Sequence, residues 1–324
     1  MIRLSTIAVV VLALLSQHAS ADDYPSRPVR LIATAGPGGN PDVLARLLAQ
    51  KLSDSLGKAF VVENVPGAGG VLAAKMVMAT PPDGYVLMLG DSGGLAINVA
   101  LNPDSGYQPL RDFTPITALA TVPTVLVVNN SVPAKTLDEF VKLAKAQPGK
   151  LTYGSAGYGS IHHLTMALFE EQAGVQLLHV PYRGGTALVN GLLTGEIHAG
   201  WSGIPNVMAL IERGTLKPLC VSILKRSPSL PNVPTCDELG YKNFDIATMI
   251  GLQASAGLPE PVVQRLQAAV AKALREPDVA GRMLALGIEL QENGTAAYRQ
   301  FMQDDLTKYT AAVKRLNLSA AKAQ

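Results

Sequence analysis

The chain reads as α/β, with two doubly wound lobes joined by two crossover segments, and three observations predict this. Short β-branched or apolar runs alternate with amphipathic stretches at helical spacing. The alternation occurs twice, without detectable sequence repetition between the two units. Between the units lies a long β-branched stretch, ITALATVPTVLVVNN (116–130), and IATMIGLQASAG (246–257) follows the second.

In the first unit, VRLIAT (29–34) is strand-like, and DVLARLLAQKLSDSLG (42–57) has helical periodicity and stops at Gly57. KAFVVEN (58–64) reads as a strand, VLAAKMVMA (71–79) as a helix and YVLMLG (85–90) as a strand. A βαβαβ order implies a parallel sheet with right-handed crossovers. The second unit runs LTYGS, helix 161–173, QLLHV, helix 185–194, EIHAGW, helix 205–213 and LKPLCVSI. Helices near 260–275 and 295–316 remain, and they find a place if the chain returns to the first lobe. The expected division is therefore lobe 1 at 22–124 plus 250–324 and lobe 2 at 125–249. Two crossings near 120–128 and 247–256 make a hinge, and the cleft between lobes is the natural ligand site.

The N-terminus adds a location. Arg3 precedes an apolar run from Ile7 to Leu15, and Ala19-Ser20-Ala21 suits signal peptidase. The run is too short to span a bilayer, so residues 1–21 read as a cleaved secretory signal of bacterial type. With no cysteine near the cleavage site, a lipid anchor is not expected. The 324 residues carry a formal charge of +2, or +1 without Arg3, dispersed among few aromatics. That excludes a nucleic-acid footprint. Cys220 and Cys236 are the two cysteines, and either one disulfide or a buried thiol pair is compatible with the sequence.

Three glycine-rich loops sit where strand gives way to helix. In AGPGGNPD (35–42), Asn40 suits an N-cap, Pro41 the first helical position, and Asp42 the positive end of the dipole. Gly38 and Gly39 leave backbone N–H groups approachable, but the Gly-Lys-Ser/Thr of a nucleotide loop is missing. YGSAGYGSIHH (153–163) brings Ser155 and Ser160, the latter as N-cap. VPYRGGTA (180–187) places Tyr182 and Arg183 at a helix start. Ligands of open α/β sheets collect at the carboxyl ends of strands. One such loop is explained by tight turns alone; three together in an exported chain favour binding of a small anion. A fourth loop, GDSGG (90–94), follows the strand YVLML and offers Asp91 and Ser92 to the same cleft.

At these loops the chain resembles the Bug-type, TctC-like substrate-binding receptors of tripartite tricarboxylate transporters. The matching segments run in order through nearly the whole mature chain: YPSRPVRLI, PGGNPDVLARLLAQKL, VVENVPGAGG, PDGYVLMLG, GKLTYGSAGYGSIHHL, HVPYRGG and LPNVPTCDELGY. The resemblance implies a periplasmic binding protein of type II, a two-lobed Venus flytrap that takes a small carboxylate and meets transporter membrane subunits. It also implies ligand contacts at Gly38, Gly39 and Asp42 on one side. On the other it implies Ser155, Gly157, Ser160, His163, Tyr182 and Arg183, with bridging waters. No cofactor, catalytic residue, metal or nucleic acid is expected, and the protein is expected to be a monomer. Departures stand out. Pro41 occupies a place where the family often has a hydroxyl residue, and His198 one where aspartate is common. Tyr158 and Trp201 would line a pocket for an aromatic or bulkier acid, although Trp201 fits a lobe core equally well.

Rival readings are weaker. A chymotrypsin-like triad runs His, Asp, Ser along the chain, and the only histidine before Ser92 is His18, within the expected signal. A hydrolase would need Ser92 activated by a later histidine in a non-standard order. His162 and His163 are adjacent, so on a helix they point about 100° apart and rarely share an ion; one is expected packed or lining the cleft and the other solvated. Asp304 and Asp305 read as a solvated face. A receptor that presents its ligand to a membrane sensor kinase uses the same fold, and nothing in the sequence separates that role from transport.

Overall fold

A computed structural model describes residues 24–318; the segment read as a signal sequence, 1–21, lies outside the described residues. The first lobe runs β1 (Val29–Ala33), α1 (Asn40–Leu56), β2 (Phe60–Asn64), α2 (Val71–Met78) and β3 (Val86–Asp91). A π-turn, Gly93–Ile97, leads into α3 (Asn98–Leu101), and α4 (Pro109–Asp112) enters β4 (Phe113–Asn129). The second lobe holds α5 (Leu137–Ala146), β5 (Thr152–Ser155), α6 (Ile161–Ala173), β6 (Leu178–Pro181), α7 (Gly185–Thr194), β7 (Ala199–Gly203), α8 (Ile204–Glu212) and β8 (Leu216–Val221). The chain then returns through β9 (Ala247–Ser255), α9 (Glu260–Arg275), α10 (Pro277–Ala285), β10 (Glu289–Asn293) and α11 (Thr295–Arg315).

The 17-residue β4 is the axis of the molecule. Its first half pairs antiparallel with β9 and β10, as far as Pro123 opposite Ala247. From Thr124 opposite Gly203 onward it pairs antiparallel with β7 and β8. Each lobe therefore has three parallel strands, β2-β1-β3 or β6-β5-β7, closed by antiparallel strands of the crossings. The expected parallel units are present. The antiparallel part comes from the crossing strands, whose direction the local pattern does not report.

Local chemistry accounts for the helices. α1 buries Leu44, Leu48 and Leu52 at helical spacing and ends at Gly57, whose φ of 71° is left-handed. α5 starts with a capping box in which Thr136 accepts from the Glu139 N–H and the Glu139 side chain accepts from the Thr136 N–H. Leu31, Leu87 and Leu252 are fully buried beneath α1 and α9. Burial of such a side chain contributes about 1.5–3 kcal/mol.

α11 spans both lobes. Tyr298 lies over Gly251 of β9, where a side chain would find no room, and its hydroxyl donates to Gln253 Oε1 at 2.5 Å. Tyr309, Ala312 and Val313 belong to the second-lobe core with Phe169 and Trp201, and Arg315 pairs with Glu171 at 2.9 Å. Among the described residues no helix is long and apolar enough to cross a membrane.

Candidate functional site

The loops after β1, β3, β5, β6 and β7 follow the carboxyl ends of the strands that run parallel within each lobe. In the first, Gly38 has a φ of +80° and its N–H donates to Asp42 at 2.8 Å. Asp42 is 2% exposed. Burial opposes its charge, but hydrogen bonds from Arg46, the Gly38 N–H and Asn64 prevail and hold its carboxyl below the usual range. Asp42 thus shapes the loop. Asn40 is not the cap expected of it: Gly39 takes that position and no side chain caps α1.

Three helix starts meet here. A Cβ built on Gly203 would lie 2.9 Å from the Asn40 amide nitrogen and 3.6 Å from that of Asn206. A Cβ on Gly185 would also lie 3.6 Å from Asn206. The first turns of α1, α7 and α8 therefore converge across the lobe boundary, and none has a side-chain cap. Uncapped helix starts leave backbone N–H groups and the positive dipole end available to an anion. Arg183, exposed on the loop that starts α7, adds a cation without an ion pair among the described residues.

The loop after β5 is held from within. Ser155, fully buried, shares a hydrogen with His179 Nε2 at 2.7 Å and accepts from the Gly157 N–H at 3.1 Å. Gly157 needs its φ of +112°. Ser160 caps α6 as expected, accepting from the His163 N–H at 3.3 Å. Behind the loop, rings pack in series: Tyr158 tilted on His163 at 4.3 Å, His163 tilted on His179 at 4.5 Å, and His179 stacked on Tyr153 at 4.8 Å. Burial pushes His162, His163 and His179 down to about 4, so all three are neutral at pH 7. Of the pair, His163 is buried as expected of one, and His162 is half-buried, with an Nδ1 that is out of water and has no partner among the described residues. The lobes touch again at this loop, where a Cβ on Gly159 would lie 2.7 Å from Leu101 of α3.

GDSGG turns inward. Asp91 accepts from Thr34 at 3.2 Å and from the N–H groups of Gly93 and Gly94 at 2.9 and 3.2 Å. Desolvation raises its pKa against those bonds. Ser92, 3% exposed, donates to Asp305 at 2.6 Å and accepts from the Met249 N–H at 2.9 Å. Asp305 is not the solvated residue expected: burial raises its pKa, offset by Lys308 and Ser92.

Trp201 is fully buried, stacked on Phe244 at 5.5 Å and edge-on to Phe169. It is a core residue rather than a cleft wall, since β7 alternation turns it toward α6. Tyr158 packs against the same core and lies on His163. The Tyr182 ring packs over Gly154 and Gly191 of its own lobe, leaving Arg183 as the freer side chain of that loop. His198 joins β5 to β7 through Thr152, 2.8 Å from its Nδ1. Sequence reasoning missed Asn206 and assigned Asn40 only to capping; Ile204-Pro205-Asn206 after a strand was the available signal.

A separate open groove lies between Ile223–Arg226 and α11, with Thr121, Pro123 and Glu289 in its walls. The loop after β8 lines it, and the glycine-rich loops do not. Cys220 and Cys236 form a disulfide with a Cα–Cα distance of 5.3 Å.

Comparison with known proteins gives this geometry a family. Residues 44–318 match the tripartite tricarboxylate transporter family receptor. The structure of Rpa4515 with adipate, from R. palustris, superposes with a TM-score of 0.88 at 31% identity, covering 92% of this chain and 99% of that one. The periplasmic binding protein BugD gives 0.86 at 32% identity over 91% and 99%. MatC from Rhodopseudomonas palustris with bound malate gives 0.84 at 31% identity over 90% and 100%. These are solute-binding proteins, and the two-lobed α/β fold expected from sequence is theirs. The chain is a receptor and not an enzyme: it belongs to the tripartite tricarboxylate transporter receptor family.

Proposed function

We propose that the chain is a periplasmic receptor that captures a small organic acid between its lobes and presents it to the membrane subunits of a tripartite transporter. One observation carries this reading: uncapped starts of α1, α7 and α8 converge from both lobes, near an unpaired Arg183. A carboxylate there accepts from backbone N–H groups supplied by both lobes, which only a closed cleft brings together. Closure is then favoured by contacts absent from the open state. The lobes in this reading are 22–124 with 250–324 and 125–249, bending where β4 and β9 cross. Gly38, Gly39, Gly157 and Ser160 line the approach, while Asp42, Asp91, Ser92 and Ser155 hold the loops in shape. The carboxylates in Rpa4515 and MatC support the ligand class.

Native mass spectrometry of protein purified without refolding, followed by a thermal-shift screen, tests this. A bound acid stabilises the native state by about 2.7 kcal/mol at a hundredfold excess over Kd. At least one mono- or dicarboxylate should raise the melting temperature. Stabilisation confined to neutral sugars or cationic amino acids would overturn the proposal.

A further inference from the structure

The two amides at the meeting point of the lobes differ from everything else there. Asn40 and Asn206 are half-buried, come from opposite lobes, and both lie within 4 Å of the position a Gly203 Cβ would occupy. Neither side chain has a hydrogen-bond partner among the described residues. The backbone groups around them, at helix starts, only donate, and a carboxylate only accepts. An amide does both. Next to a bare carboxylate, the carbonyl oxygen of each amide would stay without a donor once the cleft closed, which is costly for a buried acceptor.

A ligand that satisfies both halves must bring a donor beside its carboxylate. An ammonium group would need a free anion for charge balance. The carboxylate of this loop, Asp42, is already bound by the Gly38 N–H, Arg46 and Asn64. A hydroxyl carries no charge, donates to one amide oxygen and accepts from the other amide nitrogen. We propose that Asn40 and Asn206 select an acid bearing a hydroxyl next to its carboxylate, with that hydroxyl bridging the two amides across the cleft. This rests on the receptor reading above and names its ligand class.

The test is titration calorimetry of the full mature protein with succinate, malate, tartrate, aspartate and adipate. The hydroxylated acids should bind at least about tenfold more tightly than succinate. Asn40→Ala and Asn206→Ala should each bring that ratio to within about twofold, with melting temperatures unchanged because neither side chain is bonded. Equal binding of malate and succinate by the wild type overturns the selectivity and leaves the receptor reading standing. So does a preference for the hydroxylated acids that survives in both variants, or a preference for aspartate over malate. Absence of binding by every acid overturns the receptor reading, and this inference with it. A ligand-independent check is Asn40→Cys with Asn206→Cys: a mild oxidant should link the lobes, and failure to cross-link would refute the facing placement.

Discussion

The Ser92 hydroxyl donates to Asp305 at 2.6 Å, across 213 residues of chain, while accepting from the Met249 N–H at 2.9 Å. One side chain thus ties the end of β3 to the start of β9 and the middle of α11. Its proton and one of its two lone pairs are engaged, and at 3% exposure the hydroxyl is out of reach of a substrate. Ser92→Ala should cost about 1–3 kcal/mol, because it removes the neutral partner of a buried carboxylate. Urea denaturation measures this, and an active-site serine reagent should label neither form. Unchanged stability would mean that Lys308 and water replace the hydroxyl.

Stability should fall in acid for a specific reason. His162, His163 and His179 have folded pKa values near 4 against an ordinary 6.5, lowered chiefly by burial. Between these values the unfolded chain binds protons that the native state refuses, so stability rises with pH through this window and is lost below it. His162, with its unbonded Nδ1, is the clearest case. His162→Leu should flatten the acid limb by roughly 2 kcal/mol, read from denaturation midpoints between pH 4 and 7. An unchanged limb would place the protons elsewhere.

Glu170 acts with the opposite sign. Burial raises it from 4.5 to about 7, partly offset by the hydrogen bond it accepts from the Leu177 N–H. The native state then holds a proton that the unfolded chain has lost, so its contribution is intact below about pH 4.5 and fades as pH rises through 7. Glu170→Gln keeps an acceptor for Leu177 and removes the titration. The variant should gain on the order of 2 kcal/mol over the wild type between pH 5 and 8. A constant difference across that range would exclude Glu170 as the source.

What was legible in the sequence follows from the range of the interactions. Helices 161–173 and 185–194 match α6 and α7 because apolar spacing and glycine stops act within one or two turns. The long β-branched stretch between the units is one strand passing from lobe to lobe. The site was harder. Its loops were identifiable from glycines at strand ends, but whether a polar group faces a ligand or a neighbour depends on partners far away in sequence. Asp305 takes Ser92, and Phe244 takes Trp201. Asn206 is not legible because the residue that shares its surroundings at Gly203, Asn40, is remote in the chain.

The disulfide settles a choice that spacing left open. Cys220 and Cys236, both fully buried, close a loop with a sequence separation of 16. A loop of that size is expected to stabilise by about 3 kcal/mol through the unfolded state. The double substitution Cys220→Ala with Cys236→Ala should lower the melting temperature accordingly, with the fold retained. Thiol labelling of the native wild type should find no free cysteine, and reductant should act only once the chain unfolds.

Gly203 offers a test of closure itself. Its φ of −57° suits any residue, so replacing it does not strain the backbone. A Cβ there, on the second lobe, would lie 2.9 Å from the Asn40 amide and 3.4 Å from Val122 of the first, which makes it a wedge. Val122 is fixed within β4, so the movement falls on Asn40, the first residue of the opposing helix. Gly203→Ala should therefore leave thermal stability of the ligand-free protein nearly unchanged while weakening acid binding at least about tenfold. Gly36→Ala is the control, since a Cβ there meets nothing within 4 Å. Equal affinity in both variants would show that the bound state does not bring the lobes together at Gly203.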